Sequence, residues 1–295
     1  MISILIPSFN NLEYLKFCIR SINKNSKFKH QIIVHVNIGD DGTLDYVKQN
    51  NIDYTHTSFN SGICTGINMS AKLAKFELLL YSHDDFYFSP NWDEILLKEV
   101  KEIGHNNFYL SGIMLNEGKI KFDCGQTPNE FNEVKFLEEY KKFNLYDFQG
   151  STWAPTLVHK SIWQRVGGFS EEFFPGSGSD PDFNMKLWKI GVRIFKGLND
   201  FKVYHFGSVV LRKKINKIVK GNKYGSKGGK IFLLKWGITI KFFKKYYLNS
   251  DTEYKAPLEE PNKSFLYYFK LFVCKLNYLY LRVFYSKLIN KSKSK

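Results

Sequence analysis

Acidic residues are scarce in the C-terminal part of the chain. Residues 212–295 hold 4 Asp and Glu against 21 Lys and Arg, a balance of +17, whereas residues 1–211 hold 24 against 22, or −2. Such a division implies two regions with different jobs. The chain also lacks any run of about 18 apolar, charge-free residues, which excludes a conventional membrane-spanning helix. Its start, Met1-Ile2-Ser3-Ile4-Leu5-Ile6-Pro7, has no basic stretch and no small-residue cleavage site, so we expect no secretory signal. The four cysteines, Cys18, Cys64, Cys124 and Cys274, stand apart without metal-type or redox spacing. Reduced thiols in a cytoplasmic protein are the simplest reading.

What is present is apolar and aromatic: 43% hydrophobic residues, with 27 Phe and 18 Tyr among 295, enough for one large core or a core with an appendage. The stretch that organises the rest is Glu77-Leu78-Leu79-Leu80-Tyr81-Ser82-His83-Asp84-Asp85-Phe86. A strand-length apolar run ending in two carboxylates reads as a buried parallel strand that delivers acids to the rim of a sheet. Open α/β sheets bind their ligands at that rim. Adjacent carboxylates repel, and oxygen donors suit Mg²⁺ or Mn²⁺. Standing alone, the pair is also what a solvated turn contains.

Earlier in the chain, Ile2–Pro7 is an extended run stopped by proline, and Asn10 with Glu13 has the form of a capping box. Leu12, Leu15, Cys18, Ile19 and Ile22 then repeat at helical spacing before a second strand, Ile32–Val36, and the loop Asn37–Thr43. A third extended segment precedes Asn60-Ser61-Gly62, and residues 66–74 can form another helix. Strand and helix alternate as in a right-handed parallel sheet.

Pro7-Ser8-Phe9-Asn10, Asp40-Asp41-Gly42-Thr43, Asn60-Ser61-Gly62 with Asn68, and His83-Asp84-Asp85 with Pro90 together resemble the nucleotide-sugar half of family 2 glycosyltransferases. The likeness continues through Val166-Gly167-Gly168-Phe169, Ser179-Asp180-Pro181-Asp182, Gly191 and His205-Phe206-Gly207-Ser208, covering about residues 1–210. It implies the GT-A fold: α/β, Rossmann-like, with a mostly parallel central sheet flanked by helices. The expected division is a catalytic domain at 1–211, with a nucleotide-sugar half to about 105 and an acceptor half at 106–211. A basic, largely helical extension at 212–295 follows.

The resemblance further implies an inverting, metal-assisted transfer of a sugar from a nucleotide diphosphate sugar, UDP-linked by preference. The acceptor would be a hydroxyl of a glycan, a lipid-linked saccharide or a protein. Pro7, Ser8 and Asn10 would line the base pocket and Asp40, beside Asp41, would accept from a uracil-type N–H, as an ionised carboxylate can. Asn60, Gly62, Asn68 and Asp84 complete the donor site. Asp85 and His205 would hold Mn²⁺ or Mg²⁺, while His83 departs from the Asp, or the Asn, that often stands there. Asp180 would be the general base, although Asp at a helix start is also ordinary capping chemistry. Ser179 and Lys186 stand where Glu and Arg are usual. Asp182 is expected either as a supporting contact behind the base or at the acceptor, and Trp153 at the acceptor, with a buried core position equally open for the tryptophan.

Residues 212–230 interleave lysines with Gly221, Gly225, Gly228 and Gly229, which suggests either a lid that orders over the diphosphate or a solvated basic loop. Lys235-Trp236-Gly237 resembles an element that follows the catalytic domain in this family. Phe265–Ile289, rich in Leu, Phe and Tyr and broken by Lys270, Lys275, Arg282 and Lys287, reads as an amphipathic helix. It would either lie on an anionic membrane at the inner face or pack on the domain or in a dimer. Competing functions are a nucleic-acid-binding protein that uses the basic region, against which the N-terminal acids argue, and a degenerate sugar-binding relative without turnover. A nucleotidyltransferase finds no support, since the N-terminus lacks a Gly-rich phosphate loop.

Overall fold

The computed structural model of the protein describes residues 1–116, 120–207 and 223–292. The elements are β1 (Ile2–Phe9), α1 (Leu12–Asn25), β2 (Gln31–Asn37), α2 (Thr43–Gln49), β3 (Asp53–Thr57), α3 (Gly62–Ala71), β4 (Leu78–Tyr81), β5 (Phe86–Phe88), α4 (Trp92–Ile103) and β6 (Phe108–Leu115). They continue with α5 (Glu133–Glu139), β7 (Phe148–Gln149), β8 (Thr156–His159), α6 (Lys160–Val166), α7 (Ser179–Lys189) and β9 (Ile194–His205). Three helices follow: α8 (Lys223–Trp236), α9 (Ile240–Tyr246) and α10 (Phe265–Ser292).

The strands form one sheet in the order β3-β2-β1-β4-β8-β6-β9-β5, with β7 on β9. Pairs β1–β2, β1–β4, β2–β3 and β6–β9 are parallel, and β8, β5 and β7 run against their neighbours. The α/β fold and mostly parallel sheet expected from the sequence are thus present. The parallel direction explains the composition: β1 and β4 are buried on both faces and read as near-continuous apolar runs. Ile4 pairs with Ile32 on one side and Leu80 on the other, which brings the C-terminal ends of β1, β2 and β4 to one rim.

A main core runs from Ile2, Ile4 and Leu80 through Phe183 and Leu187 to Phe232, Phe243 and Leu248, so the helices after residue 223 share it with the sheet. A second, aromatic cluster of Tyr14, Phe17, Tyr87, Phe136, Tyr204 and Phe206 lies by α1, β5 and the end of β9. The expected capping box at Asn10 and Glu13 does not form. Glu13 pairs with Lys16 at 3.3 Å, and the first-turn N–H of Leu12 is instead accepted by Asp41 from the next loop, at 2.9 Å. The first part of the expected lid, residues 212–222, lies outside the described residues. Residues 223–230, read as flexible for their glycines, are helical. The reason is packing: a Cβ on Gly228 would lie 2.0 Å from the Ser177 carbonyl oxygen, so glycine lets α8 close onto that loop.

Candidate active site

The rim above β1 and β2 is built around Asn10, whose backbone adopts φ 47°. Its side chain donates to the Asp40 carboxylate and accepts from the Gly39 N–H at 2.9 Å. Asp41 is occupied with structure, accepting from Leu12 and Thr43 N–H groups. Both acids are exposed, and Asp40 is the one that Asn10 holds by its side chain. Pro7 sits in β1 opposite His35. Ser8, almost fully buried, donates to Asp84 at 2.7 Å.

Asn60, Gly62 and Asn68 bind the two halves together. Asn60 accepts from the Gly62 N–H at 3.0 Å, at the start of α3. Gly62, at φ 80°, leaves the space that the Phe174 ring approaches, and Ile63 N–H donates to Pro175 at 3.0 Å. Both polar ends of the Asn68 amide engage the Phe169 backbone at 2.8 Å. Where we expected a donor contact, this asparagine anchors the loop that leads to Asp180.

After β4 the chain turns through His83, Asp84 and Asp85 into β5, which pairs antiparallel with β9 in a register that sets Phe86 opposite His205. This pairing brings His205 Nε2 to 3.3 Å from Asp85 Oδ1. His83 Nδ1 lies 3.9 Å from the same oxygen, and its ring stacks on Phe86 at 4.8 Å. One ligand atom each from His83, Asp85 and His205 falls within a 4.8 Å cluster. Burial, which opposes a charged imidazole, pushes His83 down to about 4, so it presents a neutral ring nitrogen. The buried Asp84 is pushed up to about 7, first by burial and then by the charge of Asp85, against the pull of Ser8. Two imidazoles and a carboxylate fit a divalent transition ion better than Mg²⁺, which prefers oxygen donors alone. His83, a departure from the family pattern in the sequence, is thus part of the cluster. The signal for it was its place two residues before Asp85.

Asp180 lies in the first turn of α7, entered through Gly178 at φ 86°. Ser179 closes the preceding turn by donating to Gly176 O at 2.6 Å. The Asp180 carboxylate is half-buried, and among the described residues its Oδ1 has no hydrogen-bond partner. Burial pushes it up to about 7. Burial first, and then the charges of Asp180 and Asp85 among others, raise the buried Tyr81 at the end of β4, so both acids lie near that tyrosine.

Of the two places expected for Asp182, its surroundings favour the supporting one. It is fully buried, accepting from Ser170 Oγ at 2.5 Å and from Trp236 Nε1 at 2.7 Å, with the Lys235 ammonium at 3.0 Å. Lys235 also reaches Glu172 at 2.7 Å. Lys186, where Arg is usual, donates to the Val166 carbonyl at 3.1 Å and to that of Gly168. Trp153 is half-buried beneath Lys244, whose ammonium stands 4.7 Å from the ring centre. It lines a cavity of about 60 Å³ with Ile113, Met114 and Phe148.

The sequence profile of glycosyl transferase family 2 matches residues 3–162, which take in Asn10, Asp40 and His83–Asp85 and stop short of Asp180 and His205. No curated protein matches the chain. Among solved structures, residues 1–349 of S. aureus TarS share 17% identity over 78% of this chain and 68% of that one, with a TM-score of 0.53. The same fragment solved with UDP shows 16% identity over 78% and 69%, with a TM-score of 0.53. With UDP-GlcNAc it shows 16% identity over 78% and 70%, with a TM-score of 0.52. At such identities the likeness speaks for the fold, and that fold is GT-A. With more than half of its length matched by the profile, this chain belongs to glycosyl transferase family 2.

Proposed function

We propose that the protein is an inverting glycosyltransferase that moves a sugar from a nucleotide diphosphate sugar, UDP-linked by preference, to an acceptor hydroxyl. The observation that carries this reading is a half-buried carboxylate with an unpartnered oxygen, Asp180, near the same buried tyrosine as Asp85 of the His83, Asp85 and His205 cluster. The preference for UDP rests on the neighbouring fold, solved with UDP and UDP-GlcNAc.

In this reading Asp40, exposed and oriented by Asn10, accepts from the base of the nucleotide. Asp84, held by Ser8, faces the ribose side of the donor. His83, Asp85 and His205 would hold a divalent ion, which when bound supplies positive charge against the leaving diphosphate. Asp180 Oδ1 takes the proton of the acceptor hydroxyl as that oxygen bonds to the anomeric carbon. The bond from that carbon to the diphosphate breaks, and its electron pair leaves with the nucleotide. Trp153 borders the acceptor, which is a glycan, a lipid-linked saccharide or a protein side chain. Residues 1–211 carry the chemistry. Residues 212–295 support it, a role favoured by the hold of Lys235 and Trp236 on Asp182.

The test is nucleoside diphosphate release from a panel of UDP-, GDP- and CDP-sugars with Mn²⁺ or Mg²⁺. Turnover with one donor, lost in Asp85→Ala and reduced about 10²–10⁴-fold in Asp180→Asn, is expected. Absence of both release and binding for every donor would overturn the proposal in favour of a relative without turnover.

A further inference from the structure

α10 is 28 residues long and carries two apolar faces. One is spent on the protein. Tyr267, Leu271, Cys274, Tyr278 and Leu281 recur at spacings of four and three, with Tyr267 and Cys274 buried and the others half-buried. Tyr267 packs its ring 5.1 Å from Phe242, and Cys274 lies 3.8 Å from Thr239 of the segment before α9. The other face turns away from the protein. At 100° per residue, Leu266, Phe269, Phe272, Val273, Leu276 and Leu279 fall on one side of the helix, and each is 37–57% exposed.

The edges of this outer face are basic. Lys270 lies on one margin and Lys275 and Arg282 on the other, all exposed. No acidic residue follows Glu260 in the sequence. Two copies of the chain joined through this face would bring their cations together with no helix carboxylate to pair them. No helix among the described residues is long and apolar enough to cross a bilayer. A helix of this length lying flat spans roughly 42 Å, with its apolar side at the acyl boundary, its Lys and Arg at headgroup depth and the protein body on the water side.

We infer that the outer face of α10 docks on an anionic lipid surface and so holds the active site at a membrane. Apolar burial and headgroup attraction act together, and neither alone is sufficient for stable attachment. Aromatic residues such as Phe265, which is 88% exposed, suit the interfacial zone.

The experiment is co-sedimentation of the full chain with vesicles of phosphatidylcholine containing roughly 30% phosphatidylglycerol, against pure phosphatidylcholine. Binding to the anionic vesicles alone, weakened by salt, is expected. A Phe269→Ser, Phe272→Ser, Leu276→Ser variant should lose at least about tenfold in partitioning while keeping its melting temperature, since all three side chains are already exposed. A Lys270→Gln, Lys275→Gln, Arg282→Gln variant should lose about as much. No binding to anionic vesicles, or equal binding by the serine variant, would overturn the inference. So would a lipid-free dimer in analytical ultracentrifugation that the serine variant dissociates, because the face would then belong to a second copy.

Discussion

Asp180, the proposed base, is held in a state that would favour that role and costs stability. A base must be ionised to accept a proton and must have appreciable affinity for it, which places the best value near the working pH. Burial puts this carboxyl at about 7 in place of its ordinary 3.8. The rate should therefore rise with pH through about 7 and then level, as a profile of kcat/KM against pH will show. The linkage to stability runs the other way. Between the two values the folded chain binds the proton that the unfolded chain has lost, so stability falls as pH rises across that window. Asp180→Asn removes the penalty. It should raise stability in the metal-free, ligand-free protein above neutrality by at most about 4 kcal/mol, with the gain vanishing as pH falls toward 4. Urea melts at both ends of the window check this, and a variant equally stabilised at both would refute the assignment. His83 makes a second residue-scale case. His83→Asp restores the oxygen donor usual in the family and should keep turnover while improving use of Mg²⁺ relative to Mn²⁺. His83→Ala should raise the metal concentration for half-activity at least about tenfold. Metal titrations after chelation distinguish the two.

At the scale of elements, legibility followed burial. β1, β2 and β4 could be read because strands covered on both faces carry unbroken apolar runs, as in Leu78-Leu79-Leu80-Tyr81. β5, β7 and β8 were not legible: they are two to four residues long and owe their existence to partners far away in sequence, as Phe86 does to His205. The same register explains why His205 was found through family likeness and not through spacing. The burial of Asp182 was not legible for a related reason. Its partners, Lys235 and Trp236, come from a helix more than fifty residues on, and local sequence does not encode that meeting. The glycines of α8 misled in the other direction, since glycine serves close approach as readily as flexibility. Gly228 meets the Ser177–Gly178 backbone just before Asp180. Gly228→Ala must push α8 and that loop apart, because backbone cannot rotate away as a side chain can. We expect a loss of about 1–3 kcal/mol in a denaturant melt and a fall in kcat larger than Gly229→Ala produces, since a Cβ at Gly229 meets nothing within 4 Å. Equal kinetics for the two variants would show that α8 does not position the base.

For the whole molecule, one core crosses the charge boundary near residue 211. The neutral sheet-bearing part and the basic helices bury each other's apolar surface: Phe232, Phe243 and Leu248 are 0% exposed in the core that also holds Ile4 and Leu187. Each large side chain so buried contributes roughly 1.5–3 kcal/mol. Without α8, the carboxylate of Asp182 would also lose Lys235 and Trp236, and stripping a buried charge of its partners costs about 3–5 kcal/mol where it cannot reach water. Together these terms reach the roughly 5–15 kcal/mol by which a domain is stable at all. A chain cut after residue 211 should therefore fail to reach the native state, although every residue assigned to donor, metal and base would still be present. Far-ultraviolet circular dichroism with a urea titration decides the matter. The full chain is expected to unfold in one cooperative step and the truncated chain to show no comparable transition. A cooperative melt of the truncated chain would make residues 212–295 a separable attachment and return the charge boundary to the status of a domain boundary.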